Sequence, residues 1–327
     1  ESAGGAPTAT WRLLMREDNR WSATDIPDQS GRIAIVTGAN SGLGSETALA
    51  LARKGAHVVL ACRDTAKAQS ALQAIRAASP DGSVEVMSLD LASLASVRAF
   101  AEAFVAHHGR LDLLCNNAGV MAIPRRRTAD GFEMQLGTNH LGHFALTGLL
   151  LSRLLDTPGA RVVSVSSSAH RPGKMHWEDL QLERSYRKWR AYAQSKLANL
   201  LFAFELDRRL RKAGASVISV AAHPGYAATN LQAVGARMEG ARFFEQIFAL
   251  GNRLLAQSAA MGALPTLYAA TAPAVQGGHY FGPAGLGEMW GPPRKVGATA
   301  RAMNPADASR LWDLSEALTG VRFAALS

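Results

Sequence analysis

Thr37-Gly38-Ala39-Asn40-Ser41-Gly42-Leu43-Gly44 directly follows the apolar run Ile33-Ala34-Ile35-Val36 and opens a stretch of helical periodicity. Glycine lets a backbone turn sharply and approach a ligand closely. A helix that starts at such a turn offers free N–H groups and the positive end of its dipole, which suits a pyrophosphate. The spacing is Gly-x-x-x-Gly-x-Gly, not the Gly-x-Gly-x-x-Gly of many dehydrogenases. A tight turn without a ligand is the plain alternative. Its place between a strand and a helix favours a nucleotide site, with Gly38, Asn40, Ser41, Gly42, Leu43 and Gly44 as cofactor-binding residues.

Outward from this turn, short β-rich runs alternate with helical stretches. Strands are predicted at Ile33–Thr37, His57–Cys62, Val84–Ser88, Leu111–Asn116, Arg161–Ser166 and Ser216–Ala222. Helices are predicted near 42–54, 65–79, 93–108, 131–156, 189–213 and 257–271. Continuous apolar strands such as His57–Cys62 suit a sheet covered on both faces. The alternation predicts an α/β fold with a doubly wound parallel sheet, a Rossmann fold. No linker or second alternating series appears. One domain is therefore expected over 31–327, with a small helical substrate cap at about 226–260. Residues 1–30 read as a partly irregular leader, whose Trp11, Leu13, Leu14 and Trp21 could dock on the body.

Composition narrows the function classes. The chain has 327 residues, 48% hydrophobic and 19% charged, which allows a sizeable core. Net charge is +9, but the basic residues are scattered and the tightest cluster is Arg125-Arg126-Arg127. With no basic stripe and interleaved aromatics, nucleic acid is not an expected partner. No apolar run reaches 18 residues, so no integral membrane span is expected. Residues 1–9 lack the basic start and apolar stretch of a signal peptide and read as a disordered tail or an expression remnant. The two cysteines, Cys62 and Cys115, lie in or beside apolar runs and read as buried thiols, which suits a cytoplasmic location.

The turn after the second predicted strand reads Ala61-Cys62-Arg63-Asp64. In Rossmann sites a carboxylate here bonds the 2′-hydroxyl of NAD, whereas an arginine accommodates the 2′-phosphate of NADP. Arg63 can pair bidentately with a phosphate, and Asp64 can instead cap the next helix. NADPH/NADP+ is therefore favoured over NADH.

Several separated motifs, in order, make the chain resemble the short-chain dehydrogenase/reductase family over about 31–285. Thr37–Gly44 resembles the family's cofactor turn. Asp90-Leu91 resembles its adenine-contacting acidic pair, and Asn116-Asn117-Ala118-Gly119 its Asn-Asn-Ala-Gly segment. Asn139, in Gly137–Phe144, sits where the family has an active-site asparagine. Tyr192-Ala-Gln-Ser-Lys196 is similar to its Tyr-x-x-x-Lys signature. Pro224-Gly225 and Thr229 match its nicotinamide-contacting segment. Ala-Cys-Arg-Asp at 61–64, Ser-Ser-Ser-Ala-His at 166–170 and the long interval from Ser167 to Tyr192 are closest in flavour to the retinol dehydrogenase-like carbonyl reductases.

The resemblance implies Asn139, Ser167, Tyr192 and Lys196 as the catalytic set. It adds Asp90, Leu91, Asn117, Ala118, Gly119, Pro224, Gly225 and Thr229 to the cofactor site. Chemistry agrees with the spacing. Tyr192 and Lys196 are four apart on a helical stretch and share one face. An adjacent ammonium is expected to favour the phenolate of a group whose ordinary pKa is about 10. Tyr192 would donate a proton to a carbonyl oxygen, or accept one in reverse. Lys196 would also hold the nicotinamide ribose. Ser167, past the end of a predicted strand, would steady the carbonyl, with Ser166 and Ser168 as competitors for that role. Asn139 would anchor a water near Lys196, and Asn116 would position the cofactor-side backbone. His170, His176 and His223 match no zinc spacing, the resemblance requires no metal, and none is expected.

His170, Pro172, Met175, His176 and Trp177 are expected at one rim of the substrate pocket. Met238, Phe243, Phe244, Ile247, Phe248, Leu250, Leu254 and Leu255 form an apolar stripe expected in the cap. The expected partner is a small hydrophobic carbonyl or alcohol substrate. Three functions compete: an NADPH-dependent reductase of a bulky ketone or aldehyde, a non-catalytic NADP(H)-binding sensor or scaffold, and an epimerase or dehydratase of the extended branch. The complete quartet favours the first over the second, and the glycine spacing disfavours the third. The helical stretches 131–156 and 189–213 could build a homodimer or homotetramer, as in many relatives.

Overall fold

The computed structural model describes residues 21–79, 81–227 and 257–326. In chain order the main elements are β1 (Ile33–Thr37), α1 (Gly42–Arg53), β2 (His57–Cys62), α2 (Thr65–Ala78), β3 (Ser83–Ser88), α3 (Leu94–His107) and β4 (Leu113–Asn116). Next come α4 (Met134–Leu136), a π-helical turn (Gly137–Leu141), α5 (Gly142–Leu149), α6 (Leu151–Leu155), β5 (Arg161–Val165) and α7 (Lys188–Lys212). The chain continues through β6 (Ile218–Ala222), α8 (Ala259–Thr271), β7 (Tyr280–Pro283), β8 (Pro293–Lys295) and α9 (Pro305–Thr319).

The strands form a single sheet in the order β3-β2-β1-β4-β5-β6-β7-β8. Strands β1 to β7 run parallel, and β8 is antiparallel to β7. This is the expected doubly wound Rossmann sheet. Its order reverses between β1 and β4, so a crevice opens beyond their carboxyl ends. Side-chain alternation covers both faces. Val36, Leu60, Cys115 and Val163 pack toward α1, α2 and α8. Ile35, Val59, Leu114 and Val162 pack toward α3, α5 and α7. The latter layer is closed by Phe144, Trp312 and Phe323, whose ring centroids lie 4.5–5.2 Å apart.

Helix ends follow local chemistry. Asp64 caps α2 by accepting from the Lys67 N–H, and Ser93 caps α3 by accepting from the Ser96 N–H. Asn304 caps α9, with Pro305 in its first turn and Gly320 left-handed at its end. The stretch expected as one helix over 131–156 is interrupted by the π-turn, which contains Asn139. Part of the expected leader belongs to the folded body. Ile26 is buried in the core, and Trp21 meets Tyr268 edge to face at 5.2 Å. Trp11, Leu13 and Leu14 lie outside the described residues, as do Thr229 and most of the expected cap, including its apolar stripe. Among the described residues, no helix is long and apolar enough to cross a membrane.

Candidate active site

The glycine turn closes against the end of β4 with little space to spare. Gly38 and Gly42 adopt left-handed backbone, φ +67° and +54°, which disfavours other L-residues. A Cβ on Gly44 would stand 2.4 Å from the Gly38 carbonyl oxygen and 2.7 Å from Asn117 Nδ2. At Gly42 a Cβ would meet nothing within 4 Å, so the backbone there is open on one side. Asn117 ties the turn to β4 by donating from Nδ2 to the Thr37 carbonyl at 2.9 Å. The Thr37 hydroxyl accepts from the N–H groups of Asn117 and Ala118, both at 2.9 Å. Asn116 points the other way and donates to Thr147 on α5 at 3.1 Å. Asn117, not Asn116, therefore positions the cofactor-side backbone, because successive residues at a strand end face opposite sides of the sheet.

After β3, Asp90 Oδ1 accepts from the Ala92 N–H at 3.0 Å, fixing the turn. Leu91 is buried beneath α5, and a Cβ on Gly142 would stand 2.4 Å from the Leu91 carbonyl oxygen. Asp64 is engaged as the cap of α2. Arg63 is exposed and, among the described residues, enters no ion pair.

Tyr192 and Lys196 lie one turn apart on α7, both buried. The Lys196 ammonium stands 5.8 Å from the centre of the Tyr192 ring and donates to the Val165 carbonyl at 3.0 Å. Asn199 Nδ2 donates to the same carbonyl at 3.0 Å. This carbonyl ends β5, where the ladder no longer uses it. Ser167 is half-buried, and its side chain lies close enough to the Tyr192 phenol to influence its proton. Its competitors are placed elsewhere. Ser166 is buried and donates to the Lys196 carbonyl at 2.8 Å, and Ser168 is exposed.

Asn139 joins the set from the π-turn. Its Oδ1 accepts from the Val120 N–H at 2.7 Å. Its Nδ2 donates to the Val120 carbonyl and to the Ser195 hydroxyl, both at 2.9 Å. The carboxamide thus welds the Gly119–Val120 backbone to α7. A Cβ on Gly119 would lie 3.0 Å from Asn139 Oδ1 and 3.6 Å from Lys196 Nζ, so the backbone passes directly beside the lysine.

Burial sets the charge states here. It pushes the Tyr192 phenol up to about 12, with the Ser167 side chain pulling the other way. It pulls the Lys196 ammonium down to about 8. Burial thus acts on the phenol against the expected pull of the neighbouring ammonium. Lys196 Nζ is engaged with a backbone carbonyl, and desolvation of the phenolate dominates.

Residues outside the expected set complete the site. His143 Nδ1 donates to the Asn139 carbonyl at 3.0 Å, leaving Nε2 to accept from the Thr37 hydroxyl at 2.9 Å. Burial lowers this imidazole to about 4, so it is neutral. His223 Nδ1 accepts from the Gly225 N–H at 3.2 Å, and its Nε2 donates to Glu288 at 3.1 Å. Glu288 also pairs with Arg171 at 2.8 Å. The His223 hydrogen bond, aided by Arg171, holds the Glu288 carboxyl down at about 2. This chain braces Pro224-Gly225 against the segment after Ser167. Asn199, seven positions after Tyr192, was within reach of helical periodicity. Glu288 was not, because no local pattern links it to residue 223.

The expected pocket rim is only partly realised. His170 is buried and its Nδ1 donates to the Ser167 carbonyl at 2.7 Å, so it supports the serine from beneath. Met175 and Trp177 pack on the α7–α9 core, because Gly173 brings this loop tight against the Ala193 carbonyl. The apolar surface beside the phenol is Trp189, 54% exposed and edge-on to Tyr192 at 6.2 Å.

Comparison with known proteins agrees with this geometry. The profile described as short chain dehydrogenase matches residues 32–239. Retinol dehydrogenase 14 of Mus musculus is 42% identical over 303 residues, covering 89% of this chain and 86% of its own. Retinol dehydrogenase 12 of Homo sapiens is 42% identical over 298 residues, covering 90% and 88%. Among solved structures, an uncharacterized protein from Mycobacterium paratuberculosis is 46% identical with a TM-score of 0.77, covering 93% of this chain and 98% of that one. A short chain dehydrogenase from Shigella flexneri complexed with NADP shares the fold at 24% identity and a TM-score of 0.61, over 77% of this chain and 97% of that one.

Proposed function

Because the chain belongs to the short chain dehydrogenase family, we propose that it is an NADPH-dependent oxidoreductase that reduces a bulky hydrophobic ketone or aldehyde to an alcohol. The observation that carries this reading is the convergence of Ser167, Tyr192 and Lys196 beyond the end of β5, beside Asn139 and Gly119. A sensor that only bound a nucleotide would have no need of a buried phenol beside a serine and a lysine.

The residues fit a dinucleotide. The open side of Gly42, at the start of α1, faces where a pyrophosphate would lie, and Gly44 and Asn117 hold the turn in that shape. Asp90 and Leu91 would border the adenine, and Ala118 and Gly119 the ribose. Lys196 and Tyr192 would hold the nicotinamide ribose. Pro224, Gly225 and Thr229 would meet the carboxamide. When bound, the nicotinamide supplies hydride in reduction and accepts it in oxidation.

The chain's own part is proton and charge. Tyr192, protonated across the neutral range, donates from Oη to the carbonyl oxygen. Ser167 Oγ hydrogen-bonds the same oxygen as negative charge develops there. The Lys196 ammonium lowers the energy of the phenolate that remains. Lys196 carries its charge below about 8 and loses it as pH rises through that value. Carbonyl reduction is therefore expected to be flat through the neutral range and to decline above about 8. Alcohol oxidation, which needs both the phenolate as base and the ammonium beside it, is expected to climb towards about 8 and to level off above it. Initial rates in both directions against pH check this, and a reduction rate that rises above 8 would remove Lys196 from the mechanism.

Substrate class rests on Trp189, whose exposed ring lies 6.2 Å from the Tyr192 ring, and on relatives named for retinol. NADPH oxidation is to be followed with retinal and a panel of apolar ketones and aldehydes. Turnover of apolar carbonyls above small polar ones is expected. A lack of turnover across the panel, with NADPH binding intact, would overturn the reductase reading.

For the cofactor, Arg63 has no competing partner among the described residues, whereas Asp64 is occupied as a cap. Arg63→Ala is expected to weaken NADPH binding by on the order of 10–100-fold, the worth of charge-assisted hydrogen bonds. NADH binding should barely change. Fluorescence titration with both cofactors decides it, and equal losses for the two would transfer the preference to other residues.

A further inference from the structure

We propose that His57, Glu85 and His108 form a binding site for a divalent transition-metal ion of the zinc class, at the opposite end of the sheet from the catalytic residues. Parallel register sets His57 beside Ser83 and Val59 beside Glu85. Residues two apart on a strand share a face. His57 and Glu85 are therefore on the face that carries Val59, which α3 covers through Val97, Phe100 and Phe104. Helix α3 ends at His107, and the next residue, His108, comes down beside them. Its ring lies 4.6 Å from that of Phe104.

The three side chains converge on one point. His57 Nε2 lies 3.0 Å and His108 Nε2 2.8 Å from the same carboxylate oxygen, Glu85 Oε1. One potential ligand atom from each residue lies within 4.8 Å of the other two. Ligands bound at about 2.0–2.2 Å around a tetrahedral zinc stand about 3.3–3.5 Å apart, so each histidine nitrogen would stand a few tenths of an ångström farther from Glu85 Oε1 than it does here. Two imidazoles and one carboxylate are a zinc donor set that leaves a fourth position for water. Imidazole also discriminates against magnesium and calcium.

Two further observations point to a ligand. His57 Nδ1 is 2.6 Å from the Ser83 hydroxyl. Here Nε2 donates to the Glu85 carboxylate; once Nε2 gives up that proton to bind a metal, Nδ1 can donate to the Ser83 hydroxyl, and metal-binding histidines are held by this kind of outer hydrogen bond. Among the described residues, the ion-pair partners of Glu85 are these two histidines, with no lysine or arginine. A cation between the three groups would take the place of the two N–H groups that now point at the carboxylate, releasing their protons. Each donor comes from a different element, so the ion would staple β2, β3 and the end of α3. Their sequence separation hides the site from any spacing rule.

The test is calorimetric titration of the metal-stripped full chain with zinc chloride, repeated with magnesium chloride. Saturable binding of one zinc per chain, a higher Tm with zinc and no magnesium binding are expected. Bound cobalt should show the intense visible absorption of a four-coordinate ion. Glu85→Gln and His108→Ala should each weaken zinc at least 100-fold, and Ser83→Ala about tenfold. NADPH affinity is the fold control, since the site lies at the start of β2 and Arg63 follows its far end, about 20 Å away. Absence of a one-to-one zinc isotherm in a chain that binds NADPH would overturn the proposal. So would equal zinc binding by Glu85→Gln and the unaltered chain.

Discussion

Tyr192→Phe is expected to lower kcat for carbonyl reduction by on the order of 10²–10⁴-fold, the usual contribution of a positioned acid. That range corresponds to about 3–5.5 kcal/mol of barrier. The substitution keeps the ring, which fills a buried position on α7. It removes the Oη proton and any bond it makes with the nearby Ser167 side chain. Because Ser167 is only half-buried, water can replace that bond, and the stability change should stay within about 1.5 kcal/mol. KM for the carbonyl and the affinity for NADPH should change little, since the loss falls on the transition state. The measurement is steady-state NADPH oxidation together with NADPH binding and Tm. A kcat within threefold of the unaltered chain would mean that the proton comes from elsewhere. Loss of NADPH binding together with kcat would instead assign Tyr192 to holding the cofactor.

The same logic separates Tyr192 from its neighbours. In the proposed reaction Ser167 would shape the carbonyl's surroundings without owning the transferred proton. Asn139 reaches neither carbonyl nor phenol. Its carboxamide is committed to Val120 and Ser195, and it acts by fixing the backbone beside Lys196. Lys196 is held by the Val165 carbonyl, a group free only because the β5 ladder stops there. The sheet end, not the lysine alone, decides where the ammonium stands.

Sequence reading worked where local rules and tertiary packing agree. Strands β1 and β2 begin and end where the apolar runs do, and Asp64 is a cap because Asp before a helix is a good one. It failed where the pattern is set by distant partners. Strands β7 and β8 have four and three residues, include Pro283 and Pro293, and are separated by a glycine-rich turn. Their identity depends on pairing with β6 and with each other, and no period of two survives in so short a run. Helix α9 is a different case. Asn304, Pro305 and Gly320 mark both of its ends, and the signal was present in the sequence. The π-turn at Asn139 and the Arg171–Glu288–His223 chain carry no local signature, because long-range contacts create both.

Gly44→Ala is expected to weaken NADPH binding by on the order of 10–100-fold although the new methyl need not touch the cofactor. The added Cβ would lie 2.4 Å from the Gly38 carbonyl oxygen and 2.7 Å from Asn117 Nδ2. No real Cβ sits that close to a backbone oxygen, so either α1 must withdraw or the turn must open. Overpacking of this kind costs about 1–3 kcal/mol. Both escapes act on the same feature. Withdrawal of α1 moves its free N–H groups away from the pyrophosphate position. Opening of the turn breaks the Asn117 bond to the Thr37 carbonyl and disturbs the Gly119 backbone beside Lys196. Cofactor affinity should therefore fall more than Tm would suggest. The matched control is Gly109→Ala, where a Cβ meets nothing within 4 Å and the position is exposed. That variant should lie within about 0.5 kcal/mol of the unaltered chain. Titration of both variants with NADPH and NADH makes the comparison. Parallel losses for the two cofactors in Gly44→Ala would place the defect at the pyrophosphate, which they share, and separate it from the Arg63 effect. Unchanged affinity in Gly44→Ala would mean that the turn can rearrange without disturbing the site, and the close contact with Gly38 would then have no part in binding.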